Sequence, residues 1–554
     1  MEREKMSRSK KVNRREFLTR TSLGTAALLT ESVLTSAVSK AASHTGKAIA
    51  PDLEIALQAV SFEVALLLGA PTSVWGYKAE VLYGDPASLQ TIQDPSRRYP
   101  IRSANGLSFQ APPRLAPPPY TYLGPIIKAR CGQRIRINFT NNLPEATVMH
   151  WHGLHVAPEM DAHPRYLVSP GQSYVYEFEV TNRAGTYWFH PHPDGRTGRQ
   201  VYNGLAGVFI VSDDEESDAG LPSARFDVLL VIQDRSFDAA NQFVYQTGGQ
   251  ASGGMMDSVT GFLGNQILVN GRPDFTLEVE RRLYRLRLLN GSNSRVYKLA
   301  WSDSSPMNVI ATDGGLLESP VTRNYVMLAP GERIELWADF SVYATDAILE
   351  LRSLEFSGAV MGGTGGNQTL PNGAPFSVMR VRTVGRTVES GALPTKLSTI
   401  NRYQMDDAVN RNAPRTLATS MGMMAWLLNG RTYQENEVAS NEIVRLNTIE
   451  VWELVNSATG GGMMGGMSMI HPLHIHGLQF QVIERQVASQ LAAGWETVRY
   501  GYVDEGWKDT VMLMPGERVK LLLRFEDFTG MYVYHCHNLE HEDAGMMRNY
   551  LVRA

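Results

Sequence analysis

The chain has 554 residues, too many for one hydrophobic core and enough for about three domains of ordinary size. Its formal net charge is -4, which gives no reason to expect binding to nucleic acid or to an anionic membrane surface. The chain has two cysteines, Cys131 and Cys536, and we expect Cys131 to be a small buried residue. If Cys536 binds a metal, no disulfide framework remains, so cysteine usage indicates no oxidising compartment.

The N-terminus has the pattern of an export signal. Residues 13–18 read Asn-Arg-Arg-Glu-Phe-Leu, a twin-arginine motif, and an apolar stretch rich in Ala, Leu and Thr follows to about residue 38. Small residues at 39–43 suit cleavage. We therefore predict a twin-arginine (Tat) signal peptide over residues 1–42 and a periplasmic or exported protein. A permanent membrane span is the weaker alternative, because the apolar stretch is short and diluted by Ser and Thr.

From residue 53 onward the sequence is typical of an all-β protein. Short apolar runs alternate with turns rich in Gly, Pro and Asn, and long amphipathic helical patterns are scarce. This pattern favours β-sandwich domains. We expect strands at residues 60–68, 126–139, 173–180, 207–211 and 226–233.

Two turn signals recur three times and indicate three related domains. A strand end that contains asparagine recurs at Asn142, Asn290 and Asn456, and a Pro-Gly turn followed by Glu or Gln recurs at residues 170–172, 330–332 and 515–517. Repetition at such spacing favours related domains over three unrelated sandwiches. We predict domains at residues 43–215, 221–385 and 398–554, with linkers at 212–220 and 386–397.

The stretch from Tyr534 to Met546 is rich in metal-binding residue types. It follows an apolar run, so we expect it to begin on a strand. On a strand, side chains at positions i and i+2 share one face and the residue between them faces the other way. His535 and His537 should therefore point to one side and Cys536 to the other, so that one segment could serve two metal sites.

Four pairs of histidines are separated by one residue. On a strand each pair would present two imidazoles on one face, and neutral imidazole is the commonest metal ligand near neutral pH. Eight imidazoles could hold a cluster that no single strand could bind, although one such histidine alone would usually be an ordinary hydrogen-bonded residue. The pairs are His150 and His152, His190 and His192, His474 and His476, and His535 and His537.

A second set of donors indicates a blue copper site. Such a site needs two imidazoles, one thiolate and a weak axial thioether. Cys536, His541 and Met546 supply three of these donors, and His471 is the natural fourth. Zinc is the competing metal, but a structural zinc site would have four ligands rich in cysteine. One cysteine, many histidines and a methionine favour copper.

These motifs resemble those of the three-domain multicopper oxidases. They read His-Trp-His-Gly from His150, Trp-Phe-His-Pro-His ending at His192, His-Pro-Leu-His-Ile-His-Gly from His471, and His-Cys-His-x-x-Glu-His-x-x-x-Gly-Met from His535. Bacterial laccases and periplasmic cuprous oxidases are the most similar members, and the resemblance covers nearly all of the mature chain. It implies three consecutive cupredoxin-like Greek-key β-sandwich domains, with a trinuclear copper cluster between the first and the third.

The resemblance also implies four copper ions: one of type 1, one of type 2 and two that form the type 3 pair. The middle domain has no histidine between residues 221 and 383, so we expect it to bind no copper of this kind and to act as a spacer. The type 1 ligands would be His471, Cys536 and His541, with Met546 axial. The type 2 ion would take His150 and His474, and the type 3 pair would take His152, His190, His192, His476, His535 and His537.

The resemblance suggests how the site would work. A reductant would give single electrons to type 1 copper, and four electrons would convert O2 to two waters at the cluster. Asp161 and Glu542 match acidic residues that assist proton transfer in the resembled cuprous oxidases. The alternatives are a solvated loop residue for Asp161 and a surface or structural carboxylate for Glu542. We expect His155 and His163, which follow the first motif, to be solvated; the alternative is that they line the approach to the cluster.

Methionines are the main clue to the electron donor. Residues 460–469 form a Gly-rich loop with four methionines that ends just before His471, and thioethers select Cu(I). Met469 resembles a substrate-copper methionine of the cuprous oxidases, whereas Met467 stands where those enzymes have an aspartate. We therefore consider Met467 and Met469 as a place where Cu(I) or an electron enters, with a flexible or packing methionine loop as the alternative.

Three functions remain open on these observations. The first is a laccase-like oxidase of phenols and other small aromatic compounds. The second is a cuprous oxidase that protects the cell from copper. The third is a non-catalytic copper-binding or scaffold protein, which the complete set of copper ligands disfavours.

Overall fold

Strands dominate the computed structural model of this chain, which describes residues 50–92, 120–245, 260–361, 370–388, 391–422, 425–457 and 468–554. The predicted signal peptide at residues 1–42 lies outside the described residues. The strands form three successive two-sheet sandwiches, which we call the first, middle and third sandwich. The all-β prediction is confirmed.

The first sandwich packs a four-stranded sheet against a five-stranded one. Its strands are β1 (Leu53–Val64), β2 (Thr72–Tyr83), β3 (Leu89–Gln90), β4 (Ile126–Arg130), β5 (Arg134–Asn141), β6 (Met149–His152), β7 (Ser173–Glu179), β8 (Gly185–Pro191) and β9 (Gly207–Ser212). The sheet orders are β2-β1-β5-β7 and β3-β4-β9-β8-β6. Alternating buried positions such as Ile135, Ile137 and Phe139 on β5 fill the space between the sheets.

The middle sandwich pairs a seven-stranded sheet with a five-stranded one. Its strands are β10 (Asp227–Arg235), β11 (Gln266–Val269), β12 (Arg272–Pro273), β13 (Thr276–Glu280), β14 (Leu283–Asn290), β15 (Tyr297–Trp301), β16 (Met307–Thr312), β17 (Gly315–Arg323), β18 (Val326–Leu328), β19 (Arg333–Asp339), β20 (Ile348–Ser353), β21 (Val360–Met361) and β22 (Phe376–Val384). The sheet orders are β12-β11-β10-β14-β19-β16-β17 and β13-β22-β20-β15-β18. Strand β21 belongs to neither of these sheets.

The third sandwich contains two five-stranded sheets. Its strands are β23 (Arg415–Gly422), β24 (Ala425–Leu428), β25 (Ile443–Arg445), β26 (Thr448–Asn456), β27 (Ser468–Met469), β28 (His471–Ile475), β29 (Phe480–Val487), β30 (Thr510–Leu513), β31 (Glu517–Phe525), β32 (Gly530–Cys536) and β33 (Met547–Arg553). The sheet orders are β24-β23-β26-β31-β29 and β25-β33-β32-β28-β30, while β27 pairs with β21. The β21–β27 pair places the middle sandwich beside the strand that leads to His471.

Helices are short in the described part of the chain, and none is long and apolar enough to cross a membrane. Helix α2 lies in the predicted linker at 212–220, so that linker is partly ordered. The α-helices are α1 (Thr197–Tyr202), α2 (Asp214–Asp218), α3 (Ala492–Glu496) and α4 (Leu539–Asp543). The 3-10 turns are Pro86–Ser88, Pro164–Tyr166, Ala224–Phe226, Met405–Asp407, Ser440–Glu442, Ser489–Leu491 and Arg499–Gly501.

The recurring turn signals occupy equivalent places in the three sandwiches. In each Pro-Gly turn the glycine has a positive φ and its N–H donates to the carbonyl of an asparagine at the end of a strand. The asparagine of the first sandwich is Asn141, one residue before the predicted Asn142. The glycine–asparagine pairs are Gly171 with Asn141, Gly331 with Asn290, and Gly516 with Asn456.

Several local predictions from the sequence are wrong, including the strand expected at 60–68, which ends at Val64. The single strand expected at 126–139 is two strands, β4 and β5, because the chain turns at Gly132, whose φ is +89°. Cys131 lies in that turn and is exposed rather than buried. His163 is buried rather than solvated, because it lies 3.0 Å from the Asn549 side chain of the third sandwich, and His155 is half-buried.

Candidate metal centres

The first candidate centre, the outer pocket, lies within the third sandwich. Cys536 Sγ is 3.5 Å from His471 Nδ1 and 3.6 Å from His541 Nδ1, and all three residues are fully buried. Met546 is also fully buried and packs in the same apolar cluster as Cys536. Its carbonyl accepts the N–H of Cys536 at 3.0 Å, which ties the two segments together. The pocket therefore gathers two imidazoles and a thiol in the grouping expected of a blue copper site.

Trp426 covers the outer pocket and was missed by the sequence reading. Its ring centre is 4.5 Å from the His471 ring and 5.4 Å from the His541 ring, and the side chain is 1% exposed. A buried indole against both imidazoles excludes water and restricts their rotation. A lone tryptophan on strand β24 carries no sequence signal for this contact.

The second candidate centre, the inner pocket, lies where the first and third sandwiches meet. Pairing of β6 with β8 sets His150 opposite His190, and pairing of β28 with β32 sets His474 opposite His535. All eight histidines of the four His-x-His pairs are buried here. They form three triads: His150, His152 and His474; His152, His190 and His537; and His192, His476 and His535.

Alternation of side chains along β32 and the residue after it places the two pockets back to back. His535 and His537 join inner-pocket triads, while Cys536 between them joins the outer pocket. This is the arrangement expected for residues i, i+1 and i+2 of a strand. The path from the sulfur of one pocket to an imidazole of the other therefore runs through a few bonds of one chain segment.

Lone pairs of the inner-pocket imidazoles face each other. The Nδ1 atoms of His150 and His474 lie 2.9 and 2.8 Å from backbone carbonyls, so these atoms carry the protons and the Nε2 atoms present lone pairs. Those two Nε2 atoms are 3.3 Å apart. Nothing within either ring can satisfy such a contact, whereas a cation beside both nitrogens can.

The same situation recurs in the triad of His192, His476 and His535. His476 Nδ1 lies 2.8 Å from Asp161 Oδ2, and His535 Nδ1 lies 3.0 Å from Glu542 Oε2. Their Nε2 atoms are 3.0 Å apart, and His192 Nε2 is 3.2 Å from that of His535. The buried Nε2 of His190 and both ring nitrogens of His537 have no hydrogen-bond partner among the described residues. The donor set therefore fits metal ions.

Burial favours the neutral, metal-binding form of seven histidines, six in the inner pocket and one in the outer pocket. It lowers their pKa well below the usual value, and neighbouring imidazoles lower the pKa further. Burial also raises the pKa of the Cys536 thiol, so a bound cation is needed to stabilise its thiolate. The seven residues are His152, His190, His192, His471, His474, His476 and His537.

Two carboxylates from the sequence reading lie against the inner pocket. Asp161 is 1% exposed, so it is not a solvated loop residue, and burial raises its pKa. Glu542 is 2% exposed, and although burial would raise its pKa, His192 and His535 lower it to about 2. Each carboxylate contacts an imidazole, so both residues can orient ligands and exchange protons there.

A third carboxylate, Asp509, was missed. Its Oδ1 lies 2.9 Å from His152 Nε2, and the two residues are 357 positions apart in the chain. No local spacing could reveal this contact, because it depends on how the sandwiches pack.

Of the two methionines considered as a Cu(I) site, only Met469 lies within the described residues. Met469 is 2% exposed and belongs to the apolar cluster that contains Cys536 and Met546, so its thioether lies inside the protein. Met467 lies outside the described residues. This burial of Met469 in an apolar cluster favours the packing alternative for that residue.

Comparisons with known proteins agree with this geometry. Residues 120–216 and 394–554 match two family models that are both described as multicopper oxidase. The multicopper oxidase mco of Staphylococcus aureus is 31% identical over 425 residues, 77% of this chain and 81% of that protein. A laccase of Bacillus stratosphericus is 31% identical over 471 residues, covering 77% of this chain and 88% of that protein.

Solved structures show the same fold. The McoA multicopper oxidase of Aquifex aeolicus superposes with a TM-score of 0.71 at 30% identity, covering 91% of this chain and 97% of that chain. Its match spans all three sandwiches, and the two buried pockets supply imidazole, thiol and thioether donors. The chain therefore belongs to the multicopper oxidases and is a copper-dependent oxidoreductase that uses O2 as its electron acceptor.

Proposed function

We propose that the chain is a laccase-like oxidase, which takes single electrons from small phenolic or aromatic reductants at the outer pocket. Four such electrons would reduce O2 to water at the inner pocket. The observation that carries this proposal is the position of Cys536, bonded through the chain to His535 and His537 of the inner pocket. Similarity to a protein named a laccase supports the choice of reductant.

The proposed assignment uses four copper ions. When bound, copper supplies the one-electron redox steps and the reduction of O2, and the protein sets ligands and access. His471, Cys536, His541 and Met546 would hold type 1 copper, and His150 and His474 would hold type 2. The type 3 pair would take the remaining six imidazoles, which the structure divides into His152, His190 and His537 and into His192, His476 and His535.

The two carboxylates, Asp161 and Glu542, would supply the protons that O2 reduction consumes. Asp161 Oδ2 and Glu542 Oε2 each lie within 3.0 Å of an inner-pocket imidazole, so they would orient these rings and hold protons beside the pocket. Replacement of either by the amide should slow O2 reduction without removing the blue colour of the outer pocket.

Oxidation of Cu(I) is the alternative role, and a specific observation keeps it open. The Met-rich loop at 460–469 ends at Met469, whose carbonyl accepts the Asn456 side chain at 2.7 Å, and β28 follows directly. The loop is therefore attached directly in front of the His471 ligand. Thioethers there would favour Cu(I) over a phenol.

Oxygen uptake with each reductant tests the two roles. We would compare a phenolic compound with Cu(I) in the wild type, in Met467→Ala/Met469→Ala, and in Met467→Leu and Met469→Leu, which keep apolar bulk. Met512→Leu is the matched control, because Met512 is also a buried methionine of the third sandwich. A thioether site predicts that the double change lowers Cu(I) oxidation far more than phenol oxidation. Equal losses would remove the case for that site.

We also propose that the protein is exported by the twin-arginine route, on the strength of residues 13–18. Arg14→Lys/Arg15→Lys should leave the protein inside the cell with its signal peptide attached. Cell fractionation and N-terminal sequencing of the wild type and the variant would test this. Export of the variant would contradict it.

A further inference from the structure

Arg333 of the middle sandwich is fully buried next to the inner pocket. It is the first residue of β19 and directly follows the Pro-Gly-Glu turn at 330–332. Its Nε donates to the carbonyl of Thr186 at 2.9 Å, its Nη1 to that of Gly331 at 3.0 Å and its Nη2 to that of Asp313 at 2.9 Å. Every nitrogen of the guanidinium is therefore held in place.

Arg333 also forms hydrogen bonds with both carboxylate oxygens of Asp509 in the third sandwich. Nη1 lies 2.7 Å from Oδ1 and Nη2 lies 2.6 Å from Oδ2, and neither side chain is exposed. Two parallel charge-assisted bonds fix the plane of a carboxylate as well as its position. Asp509 therefore has a single orientation.

Asp509 contacts His152 with its carboxylate and His474 with its backbone carbonyl, and Thr510 Oγ1 lies between that carboxylate and both rings. Asp509 Oδ1 lies 2.9 Å from His152 Nε2, which places the ring proton there and leaves Nδ1, buried and without a hydrogen-bond partner, for a metal. The Asp509 carbonyl lies 2.8 Å from His474 Nδ1, so His474 presents Nε2. Thr510 Oγ1 completes the contact, 3.0 Å from Asp509 Oδ1 and 3.1 Å from His152 Nε2.

The turn before Arg333 also touches the pocket. Gly331 has a φ of +84°, and a Cβ built there would lie 2.9 Å from His537 and 3.1 Å from His152. The middle sandwich, which contains no histidine, therefore forms one wall of the inner pocket. The middle domain is therefore more than the spacer expected from the sequence, because it contacts the inner-pocket histidines His152 and His537.

We propose that Arg333 is a positioning residue of the inner pocket, which acts through Asp509 to hold His152 and His474 in the orientation that binds copper. The inference rests on the copper assignment proposed above. A buried carboxylate that loses its cation is strongly destabilised, so Asp509 should leave this place when the guanidinium is removed. His152 would then lose the acceptor that fixes its proton on Nε2.

The test uses full-length, copper-loaded variants at Arg333 and one matched control. Arg333→Met removes the charge, Arg333→Lys keeps the charge but not the two-pronged geometry, and Asp509→Asn removes the acceptor charge. Arg285→Met is the control, because Arg285 is a buried arginine of the same sandwich. It pairs with Glu335 and Glu216 and has no contact with a histidine in the described part of the chain.

Three readouts separate positioning from general stability: copper retained against a chelator, the type 2 electron paramagnetic resonance spectrum, and the blue absorption of the outer pocket. Arg333→Met should weaken inner-pocket copper retention about 10- to 100-fold and change the type 2 spectrum, while the blue absorption stays. Arg333→Lys should recover part of this loss. Arg285→Met should lower the unfolding temperature without changing the type 2 spectrum.

A double-variant cycle tests whether Arg333 acts through Asp509. In the Asp509→Asn background, adding Arg333→Met should produce little further change in copper retention. An unchanged type 2 spectrum in Arg333→Met, or additive losses in the double variant, would overturn the proposal. If Arg333→Met does not fold, unchanged inner-pocket spectra in both Arg333→Lys and Asp509→Asn would overturn it. A wild type without inner copper would instead contradict the copper assignment.

Discussion

The two cysteines of the chain lie in opposite environments. Cys536 is fully buried between two imidazoles, whereas Cys131 is exposed in a turn of the first sandwich. A buried thiol whose pKa is raised by burial is inert unless a cation stabilises the thiolate. Among the described residues, the outer pocket therefore has one thiolate donor, Cys536.

Cys536→Ser should therefore abolish the blue absorption and reduce O2 uptake to background, because the electron path to the inner pocket loses its only thiolate. The inner pocket should keep its copper, since none of its imidazoles changes. Absorption spectra, copper analysis and oxygen uptake measure the three outcomes. Cys131→Ser is the control and should match the wild type. Full O2 uptake by the serine variant would contradict the role of Cys536.

His163 gives a prediction for acid stability. Burial lowers its pKa from 6.5 to about 4, with the Asn549 side chain opposing this shift and Arg165 adding to it. The folded protein therefore resists protonation of His163, while the unfolded chain accepts the proton below pH 6.5. The stability that His163 confers is complete above pH 6.5 and falls as the pH drops from 6.5 to about 4.

His163→Gln should lose less stability over that range than the wild type does. The difference between the two proteins can reach at most about 3 kcal/mol, since one pKa unit corresponds to about 1.4 kcal/mol. Unfolding temperatures of both proteins at pH 7 and pH 4.5 measure this difference. Protonation of the other histidines affects both proteins equally, so it does not contribute to the difference. The prediction fails if both proteins lose the same stability between the two pH values.

Among the elements, the three Pro-Gly turns share a conformation but differ in surroundings. Gly171 and Gly331 have φ values of +75° and +84°, so a side chain at either one is strained. A Cβ at Gly171 would meet nothing within 4 Å, whereas one at Gly331 would collide with His537 and His152. The turn at Gly171 therefore only connects strands of the first sandwich, whereas the equivalent turn at Gly331 of the middle sandwich also lines the inner pocket.

Gly331→Ala should therefore weaken inner-pocket copper binding, while Gly171→Ala should not. Both variants should lose about 1–2 kcal/mol of stability from the positive φ. Copper analysis with thermal unfolding separates the two effects. Equal copper contents in the two variants would show that the His537 and His152 rings move aside without consequence.

Across the whole molecule, apolar clusters join the sandwiches as well as fill them. Trp188, Val208 and Ile210 of the first sandwich pack with Leu229 and Leu289 of the middle one. A second cluster joins the middle and third sandwiches, with Val296, Met327 and Phe356 on one side and Ile470, Val498 and Met512 on the other. The inner pocket adds a third junction, because its imidazoles come from the first and third sandwiches.

Copper removal should therefore lower the stability of the whole molecule. Ligands that bind only the folded state stabilise it by about 2.7 kcal/mol at one hundred times their dissociation constant. Removal of copper by a chelator should lower the unfolding temperature of the wild type, as measured by calorimetry. In Cys536→Ser, which keeps the inner-pocket ligands, copper should still raise the unfolding temperature by most of the wild-type amount. Equal unfolding temperatures with and without copper would contradict a joining role for the inner pocket.

The sequence by itself determined the all-β class, the threefold repeat and the metal-binding residue types. These features are local: alternation along a strand decides that Cys536 faces away from His535 and His537, and a Pro-Gly turn needs only its own residues. Fixed spacing also revealed the His-x-His pairs. The same local reasoning failed at Gly132, where a turn divides one apparent strand.

Only the tertiary structure decided what surrounds the ligands. Asp509 reaches His152 across 357 positions, Trp426 covers the outer pocket from a strand without a motif, and Arg333 reaches the inner pocket from a sandwich without histidine. Burial of His163 likewise depends on Asn549, 386 positions away. Contacts of this kind arise when separate sandwiches pack together, and a charged side chain can be buried only where a distant partner satisfies it.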